Sequence, residues 1–165
     1  MKRTFDLIFS FILIVLLLLP MLVVSLIIRF ESNGPSIYWS KRVGKGNKIF
    51  LMPKFRSMKI NTPQLATHLM QNSNKFVTPF GSFIRKNSID ELPQLYSILK
   101  GDLSLVGPRP ALFNQEDLIK LRKEYKLDEL KPGLTGWAQV NGRDSISIKR
   151  KVEFEIEYLN KKNFL

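Results

Sequence analysis

The chain has 165 residues and no cysteine, which excludes disulfide bridges and thiolate metal sites. Its 26 Lys and Arg residues exceed its 14 Asp and Glu residues, giving a formal net charge of +12. This positive excess recurs along the whole chain and favours phosphate-rich partners: nucleic acid, an anionic lipid leaflet or phosphorylated small molecules. Composition alone does not choose among these three classes.

An almost wholly apolar segment occupies residues 5–28. As a helix it would extend ~36 Å, which is comparable to the hydrocarbon core of a bilayer. A cleaved signal peptide is the weaker interpretation, because the apolar run is too long and no small-residue cleavage site follows it. We therefore predict a membrane segment at residues 1–30 and one small domain at residues 31–165.

Basic residues flank both ends of this segment, with Lys2 and Arg3 before it and Arg29 after it. The positive-inside rule places both ends in the cytoplasm, and a straight span cannot satisfy both. Pro20 lacks the N–H that a helix needs and would break it there. The sequence therefore predicts a re-entrant helix–break–helix that enters one leaflet and returns. An ordinary kinked span is the alternative, because proline is tolerated in membrane helices.

The remainder reads as short strands and helices. Residues 37–40 and 48–52 predict two strands of a hairpin, joined by a turn at residues 44–47. Helices are predicted at about residues 90–100 and 114–127. We therefore expect an α+β fold, mainly helical, with a short β-hairpin in a cytoplasmic domain.

Two passages give less direct signals. Residues 152–158 alternate apolar and polar types as a strand does, but the spacing of Ile148, Val152 and Ile156 suits a helix, and both readings stay open. The single histidine, His68, has no ligand or triad partner beside it in the sequence. We assign it no chemical role.

The adjacent carboxylates Asp90 and Glu91 are the most suggestive residues for chemistry. One interpretation is a capping box, with Ser88 as N-cap and Glu91 three residues later. If Asp90 is instead the N-cap, Pro93 falls at the third helical position, where its missing N–H costs little. Two carboxylates at a helix N-terminus would suit a carboxylate nucleophile or Mg²⁺ ligands, although capping is the commoner role for such a pattern.

Basic residues could supply the other half of a site. Phosphoryl transfer needs mainly positioning and charge neutralisation, and arginine binds phosphate oxygens in a bidentate manner. Arg109 is notable because the flanking prolines restrict its backbone. The candidates for converging on phosphate are Lys54, Arg56, Arg85, Arg109 and Arg143.

Four ordered motifs together closely resemble the bacterial sugar transferase family, the small monotopic phosphoglycosyl transferases. The resemblance covers nearly the whole chain, and four motifs of this length in order are far more specific than one short pattern. The motifs are KFRSM (residues 54–58), SIDELPQL (88–95), LKGDLSLVGPRP (99–110) and KPGLTGWAQVNGR (131–143).

The resemblance implies a two-step reaction. Asp90 would attack the β-phosphate of a UDP-sugar and release UMP, and undecaprenyl phosphate would then take the phosphosugar from Asp90. Glu91 would assist through Mg²⁺ binding or proton transfer, so that Asp90 and Glu91 are both implied metal-site residues. Arg109 matches the family's phosphate-binding arginine. The other positions that match basic or loop motifs are Lys54, Arg56, Arg85, Asn141 and Arg143.

The resemblance also implies a setting: the bacterial inner membrane, a catalytic domain facing the cytoplasm, and the first membrane step of capsule, exopolysaccharide, O-antigen or glycoprotein glycan synthesis. The implied partners are a UDP-sugar, undecaprenyl phosphate and membrane lipid, not nucleic acid; the sugar stays open. Relatives usually continue past the end of this chain with another amphipathic helix. The alternative function is therefore an inactive or truncated membrane-anchored basic module that binds anionic lipid or nucleic acid.

Overall fold

The computed structural model describes residues 1–32, 34–60, 62, 75–142 and 145–161, so that His68 and Arg143 lie outside the described residues. The predicted α+β, mainly helical class is confirmed. The described helices are α1 (Lys2–Glu31), α2 (Pro79–Lys86), α3 (Gln94–Lys100), α4 (Glu116–Glu124), α5 (Trp137–Val140) and α6 (Ile148–Lys161). The described strands are β1 (Ile37–Val43), β2 (Ile49–Phe55), β3 (Ser104–Val106) and β4 (Gly133–Thr135).

Helix α1 is long and apolar, as the sequence predicts, but it is not interrupted. It runs for 30 residues with Pro20 inside it, so the predicted break of the helix at Pro20 is wrong. Proline removes one backbone hydrogen bond without forcing the helix to end, particularly when neighbouring turns remain bonded. It is the one described helix that is long and apolar enough to cross a membrane.

One stripe of α1 packs against the domain along its length. Leu13 and Ile14 contact a core cluster centred on α3, and Met21 and Val24 contact a second cluster that includes Ile28. The polar residues Asp6 and Ser10 are buried on this same stripe, because positions three, four and seven residues apart share a helix face. The opposite face is apolar and exposed, from Phe5 to Phe30.

Hydrogen bonds fix the N-terminal end of α1 to the domain. The Arg3 guanidinium donates to the carbonyl oxygens of Ile98 at 2.6 Å and Leu99 at 2.9 Å, which lie in the last turn of α3. The Asp6 carboxylate accepts from the Ser104 hydroxyl at 2.8 Å and from the Leu105 N–H at 3.2 Å. These contacts provide hydrogen-bond partners for the last carbonyl groups of α3 and for polar groups at the start of β3.

The C-terminal end of α1 is bonded to the same domain. The hydroxyl oxygens of Ser25 and Ser36 are 2.6 Å apart. The Glu31 carboxylate accepts from the Phe80 N–H in the first turn of α2 at 2.9 Å. A helix of this length spans about 45 Å, and both of its ends therefore contact one small domain.

The predicted hairpin is confirmed and is longer than expected. Strands β1 and β2 pair antiparallel over seven residues each, from Ile37 opposite Phe55 to Val43 opposite Ile49. The connecting turn places Gly46 at a φ of 64°, a left-handed conformation that glycine adopts without steric cost. On β2, Met52 packs in the cluster centred on α3 and Phe55 in the second cluster, which includes Ile28.

The helix predicted at residues 90–100 begins later than expected. A 3₁₀ turn covers Ile89–Glu91, and α3 then starts at Gln94 with Pro93 as its N-cap. Neither capping alternative therefore holds for α3: Asp90 is not its N-cap, and Ser88 precedes the 3₁₀ turn without a side-chain capping hydrogen bond. Pro93 has no N–H and could not donate a hydrogen bond inside the helix. It lies instead directly before the first helical residue, where no donor is needed. Gly101 ends α3 in the left-handed conformation.

A small parallel sheet, which the sequence did not predict, joins two loops. Strand β3 pairs with β4, Ser104 opposite Gly133 and Val106 opposite Thr135. The two backbones come so close that a Cβ added at Gly133 would lie 2.1 Å from the Gly107 nitrogen. The glycines of the third and fourth motifs are therefore needed for close backbone approach.

Helices α4 and α6 pack together over the remaining core cluster. The predicted helix at 114–127 is confirmed as α4, followed by a 3₁₀ turn at Leu127–Glu129. The ambiguous stretch 152–158 lies in α6, where Val152 is buried and Ile156 packs beside it. The helical spacing of apolar residues, not the two-residue alternation, was the correct signal.

Candidate active site

Four charged side chains from three parts of the fold meet in one cluster. Lys54 comes from β2, Asp90 and Glu91 from the 3₁₀ turn, and Arg109 from the loop after β3. Lys54 Nζ lies 3.0 Å from Glu91 Oε1 and 3.8 Å from Asp90 Oδ2. Arg109 donates to Glu91 from both terminal nitrogens, at 2.6 Å to Oε1 and 3.3 Å to Oε2.

A sharp turn directs the two carboxylates towards Lys54. Ser88 adopts a φ of 57°, a left-handed conformation that is uncommon for residues other than glycine and costs energy. It reverses the chain between α2 and the 3₁₀ turn that carries Asp90 and Glu91. Such strained positions concentrate where a fold must place side chains for chemistry.

Glu91 is the fixed member of the carboxylate pair. Its side chain is 10% exposed, and both of its oxygens receive hydrogen bonds from cations. Burial opposes its ionisation, but the hydrogen bonds and charges of Arg109 and Lys54 outweigh that effect and lower the pKa of Glu91 to about 2. Glu91 is therefore an ionised counter-charge that holds the two cations in place.

Asp90 has the opposite electrostatic setting. Burial raises the pKa of its carboxyl above the usual range, and the Lys54 charge only partly offsets this. Burial also lowers the pKa of Lys54, against the opposing charge of Glu91. The two adjacent carboxyl groups therefore differ in their electrostatic surroundings, with the pKa of Asp90 raised and the pKa of Glu91 lowered.

The other predicted binding residues that the structure describes lie at three different places in the fold. The charge of Arg85, on α2, acts on Asp90 and partly offsets the effect of burial, which raises the pKa of Asp90. Arg56 instead donates to the Pro35 carbonyl at 2.7 Å, beyond the end of α1. Asn141 donates to the Trp137 carbonyl at 2.8 Å and thereby closes the end of α5.

A shallow cleft adjoins Arg109. The Gly107–Arg109 loop forms one wall, and α5 and α6 form the other, with Trp137 half exposed at its edge. Arginine and an exposed aromatic side chain therefore lie on the same side of the cluster.

Three charged residues near the cluster were not singled out by the sequence. Arg42 donates to the Pro110 carbonyl at 3.2 Å, and Arg122 forms a buried ion pair with Glu155. No motif flagged Arg122 or Glu155, because each stands in a stretch rich in charged residues that resembles a solvated helix face.

The residues present fit a magnesium ion that is shared with a substrate. Among the described residues no group of three or more His, Cys, Asp or Glu side chains could hold a metal by itself. Mg²⁺ is usually bound through one or two carboxylates together with phosphate oxygens and water. Asp90 suits that role better than Glu91, whose two oxygens already accept hydrogen bonds from Arg109 and Lys54.

Comparison with known proteins gives a consistent result. The sequence matches the bacterial sugar transferase family over residues 1–165. The undecaprenyl-phosphate galactose phosphotransferase of Salmonella typhimurium is 37% identical over 174 aligned residues, which cover 96% of this chain and 36% of that protein. The UDP-glucose:undecaprenyl-phosphate glucose-1-phosphate transferase of Escherichia coli is 39% identical, over 96% of this chain and 36% of that protein.

A shorter relative is matched over most of its own length. The uncharacterized sugar transferase EpsL of Bacillus subtilis is 39% identical over 164 residues, which cover 99% of this chain and 80% of EpsL. The chain thus spans about a third of the length of the two longer relatives.

The ionised state of Glu91 predicts how its replacement responds to pH. Because its folded pKa of about 2 lies below the ordinary value of 4.5, its stabilising contribution is complete above about pH 4.5 and is lost as pH falls towards 2. The shift corresponds to at most about 3 kcal/mol. Glu91→Gln should therefore destabilise the protein at neutral pH, and this cost should shrink as the pH falls below about 4.5.

Thermal unfolding of both proteins in lipid nanodiscs at a series of pH values measures this effect. Glu124→Gln, an exposed replacement of the same type on α4, serves as the control and should show no comparable pH dependence. A cost of Glu91→Gln that stays constant across the acid range would contradict the assignment.

Proposed function

The chain belongs to the bacterial sugar transferase family, and on this premise we propose that it transfers a sugar 1-phosphate from a UDP-sugar to undecaprenyl phosphate. The observation that carries the proposal is the Asp90 carboxylate, which lies 3.8 Å from Lys54 in a cluster where Glu91 and Arg109 are already paired with each other. The similarity to an undecaprenyl-phosphate galactose phosphotransferase and to a UDP-glucose:undecaprenyl-phosphate glucose-1-phosphate transferase supports the same assignment.

In the first step, a carboxylate oxygen of Asp90 attacks the β-phosphorus of the UDP-sugar. The new bond joins Asp90 to the phosphosugar. The bond from the β-phosphorus to the oxygen that links the two phosphorus atoms breaks, and UMP leaves with that oxygen. Burial raises the pKa of Asp90, which favours its reactivity as a nucleophile. Lys54 and Arg109, which form ion pairs with the carboxylate pair, would neutralise negative charge on the transferring phosphoryl group.

In the second step, a phosphate oxygen of undecaprenyl phosphate attacks the same phosphorus. The bond to Asp90 breaks, the carboxylate is restored, and undecaprenyl diphosphate-sugar is released. Two anionic substrates, one soluble and one embedded in lipid, then never occupy the site together. This separation limits the repulsion that a direct transfer would have to overcome.

We expect the Asp90 carboxylate to bind Mg²⁺ together with the phosphates of the UDP-sugar. When bound, the ion would neutralise negative charge on the diphosphate. Arg109 and Lys54 would supply the positive charge that the protein itself contributes. Glu91 would keep these two cations in position during both steps, consistent with its hydrogen bonds to each of them.

We propose further that α1 lies in one leaflet, with both ends on the cytoplasmic side. Its two ends are hydrogen bonded to the same domain, at Arg3 and at Glu31. A straight span perpendicular to the bilayer would separate those ends by the full membrane thickness. The exposed apolar face of α1 suits burial in lipid, and its buried polar residues, Asp6 and Ser10, face the protein.

This reaction would be an early membrane step in the assembly of a surface glycan, in the bacterial inner membrane. A basic module that only binds anionic lipid or nucleic acid would need its cations exposed on the surface. Lys54 and Arg109 are instead largely buried and paired with carboxylates. Their arrangement therefore favours an enzyme.

The identity of the leaving group gives a direct test. Membranes that contain the protein, undecaprenyl phosphate, Mg²⁺ and a panel of UDP-sugars should release UMP with at least one donor. Asp90→Asn keeps the side-chain shape but removes the nucleophile, and should reduce release by about a thousandfold or more. The product is measured by chromatography of the nucleotides.

The control for this experiment is Glu124→Gln, which removes an exposed carboxylate on α4 and should leave the rate unchanged. Release of UDP in place of UMP would indicate ordinary glycosyl transfer and would contradict the proposed chemistry. Full activity of Asp90→Asn would exclude Asp90 as the nucleophile.

The absence of cysteine from the chain makes the membrane arrangement testable by labelling. Single cysteines at Thr4 and Arg29, both polar and exposed near the ends of α1, should react with an impermeant maleimide only after the cells are permeabilised. Lys123→Cys, in the domain, is the reference for the cytoplasmic side. Labelling of one end of α1 but not the other in intact cells would indicate a membrane span.

A further inference from the structure

The segment Pro108-Arg109-Pro110 has few backbone donors with which to form hydrogen bonds. Two of its three residues are prolines without an N–H, so the segment cannot form a regular ladder. Each of its carbonyls instead accepts a hydrogen bond from elsewhere. The donors are the Gly133 N–H to Pro108 at 2.9 Å, Arg122 Nη2 to Arg109 at 2.8 Å and Arg42 Nη1 to Pro110 at 3.2 Å.

The donor to the Arg109 carbonyl is itself built into a buried ion pair. Arg122, on α4, donates from Nε to Glu155 Oε2 at 2.8 Å and from Nη2 to Glu155 Oε1 at 2.5 Å. The side chains are 10% and 2% exposed. Burying both charges is costly, and apolar residues of similar size often serve stability equally well. Stability alone therefore does not explain why a charged pair stands here.

Arg109 forms hydrogen bonds with Glu91 through its side chain. Its carbonyl accepts from Arg122, while its guanidinium forms a fork on the Glu91 carboxylate. The two bonds restrain the backbone and the tip of one side chain from opposite directions. Movement of the carbonyl would shift the guanidinium relative to Glu91 and to the adjoining cleft.

We propose that Arg122 and Glu155 are positioning residues for the transfer reaction, which hold the Arg109 carbonyl so that its guanidinium stays on Glu91 and faces the donor phosphates. This inference rests on the proposed function for its catalytic consequence. Glu155 fixes the orientation of Arg122, and Arg122 fixes residue 109. Neither residue touches the reacting atoms.

The expected size of the effect follows from geometry. A misplacement of about 1 Å at a charge-stabilising group can lower a rate by roughly 100-fold. A chain of contacts does not by itself demonstrate energetic coupling. The experiment must therefore measure whether Arg122 and Glu155 act through Arg109.

The test variant is Arg122→Met/Glu155→Leu, which removes both buried charges together and leaves neither unpaired. The matched control, Arg150→Met/Glu153→Leu, removes an exposed ion pair of 2.7 Å on α6. We expect the test variant to fold and to release UMP with a kcat lower by roughly 10- to 100-fold, with a smaller change in KM for the UDP-sugar. The control should match the unmodified protein in both constants.

A double-mutant comparison then separates positioning from a general loss of structure. Introduced into Arg109→Ala, the same pair of replacements should cause little further loss of rate, because the residue that they position is already absent. A full additional loss of 10-fold or more would overturn the proposal. Arg122→Lys, which keeps the charge but lacks the planar fork, replaces the double variant if that protein does not fold.

A readout independent of turnover is the Arg109 guanidinium itself. Nitrogen NMR of labelled arginine side chains should show an Arg109 signal, identified by its loss in Arg109→Ala, that exchanges slowly with solvent in the unmodified protein and in the control, because the guanidinium is hydrogen bonded to Glu91. In the test variant that signal should shift and exchange faster. An unchanged Arg109 signal would overturn the positioning role, whereas failure of every UDP-sugar to yield UMP would count only against the proposed function.

Discussion

The fork between the Arg109 guanidinium and the Glu91 carboxylate is the interaction on which the site depends. It neutralises a buried carboxylate, and it fixes an arginine whose backbone lies between two prolines. With Lys54 also bonded to Glu91, the neighbouring Asp90 stands beside cations that are already paired. Asp90 has only the longer ion pair with Lys54, at 3.8 Å. The two adjacent acids therefore have different surroundings.

The apolar helix and this cluster are parts of one arrangement. Arg3 bonds to the last turn of α3, and Asp6 bonds to β3, which are the elements that follow the 3₁₀ turn of Asp90 and precede the loop of Arg109. Helix α1 thus contacts the elements that flank the cluster, and its opposite face is apolar and exposed. The apolar helix and the charged cluster therefore belong to one packed unit.

Local sequence signals predicted the elements whose stability is local. The hairpin followed from its turn residues, whereas for α6 the helical spacing of apolar residues was one of two readings that the sequence left open. The parallel pairing of β3 with β4 was missed, because strands of three residues far apart in the chain leave no periodic signal. The break expected at Pro20 was wrong because packing along the domain supports the whole of α1. The motifs pointed to Asp90, Glu91 and Arg109, but no spacing reveals that the arginine pairs with the glutamate rather than the aspartate. The buried pair of Arg122 and Glu155 was indistinguishable from surface charge until α4 and α6 were placed side by side.

The central claim is that the side chain of Asp90 becomes covalently bonded to phosphorus during turnover. Tandem mass spectrometry of the protein after brief exposure to a UDP-sugar and Mg²⁺, without undecaprenyl phosphate, measures this directly. The account predicts a phosphosugar adduct on the peptide that contains residue 90, which is absent from Asp90→Asn and which disappears when undecaprenyl phosphate is added. An adduct on a different residue, or continued transfer to undecaprenyl phosphate by the Asp90→Asn variant, would contradict it.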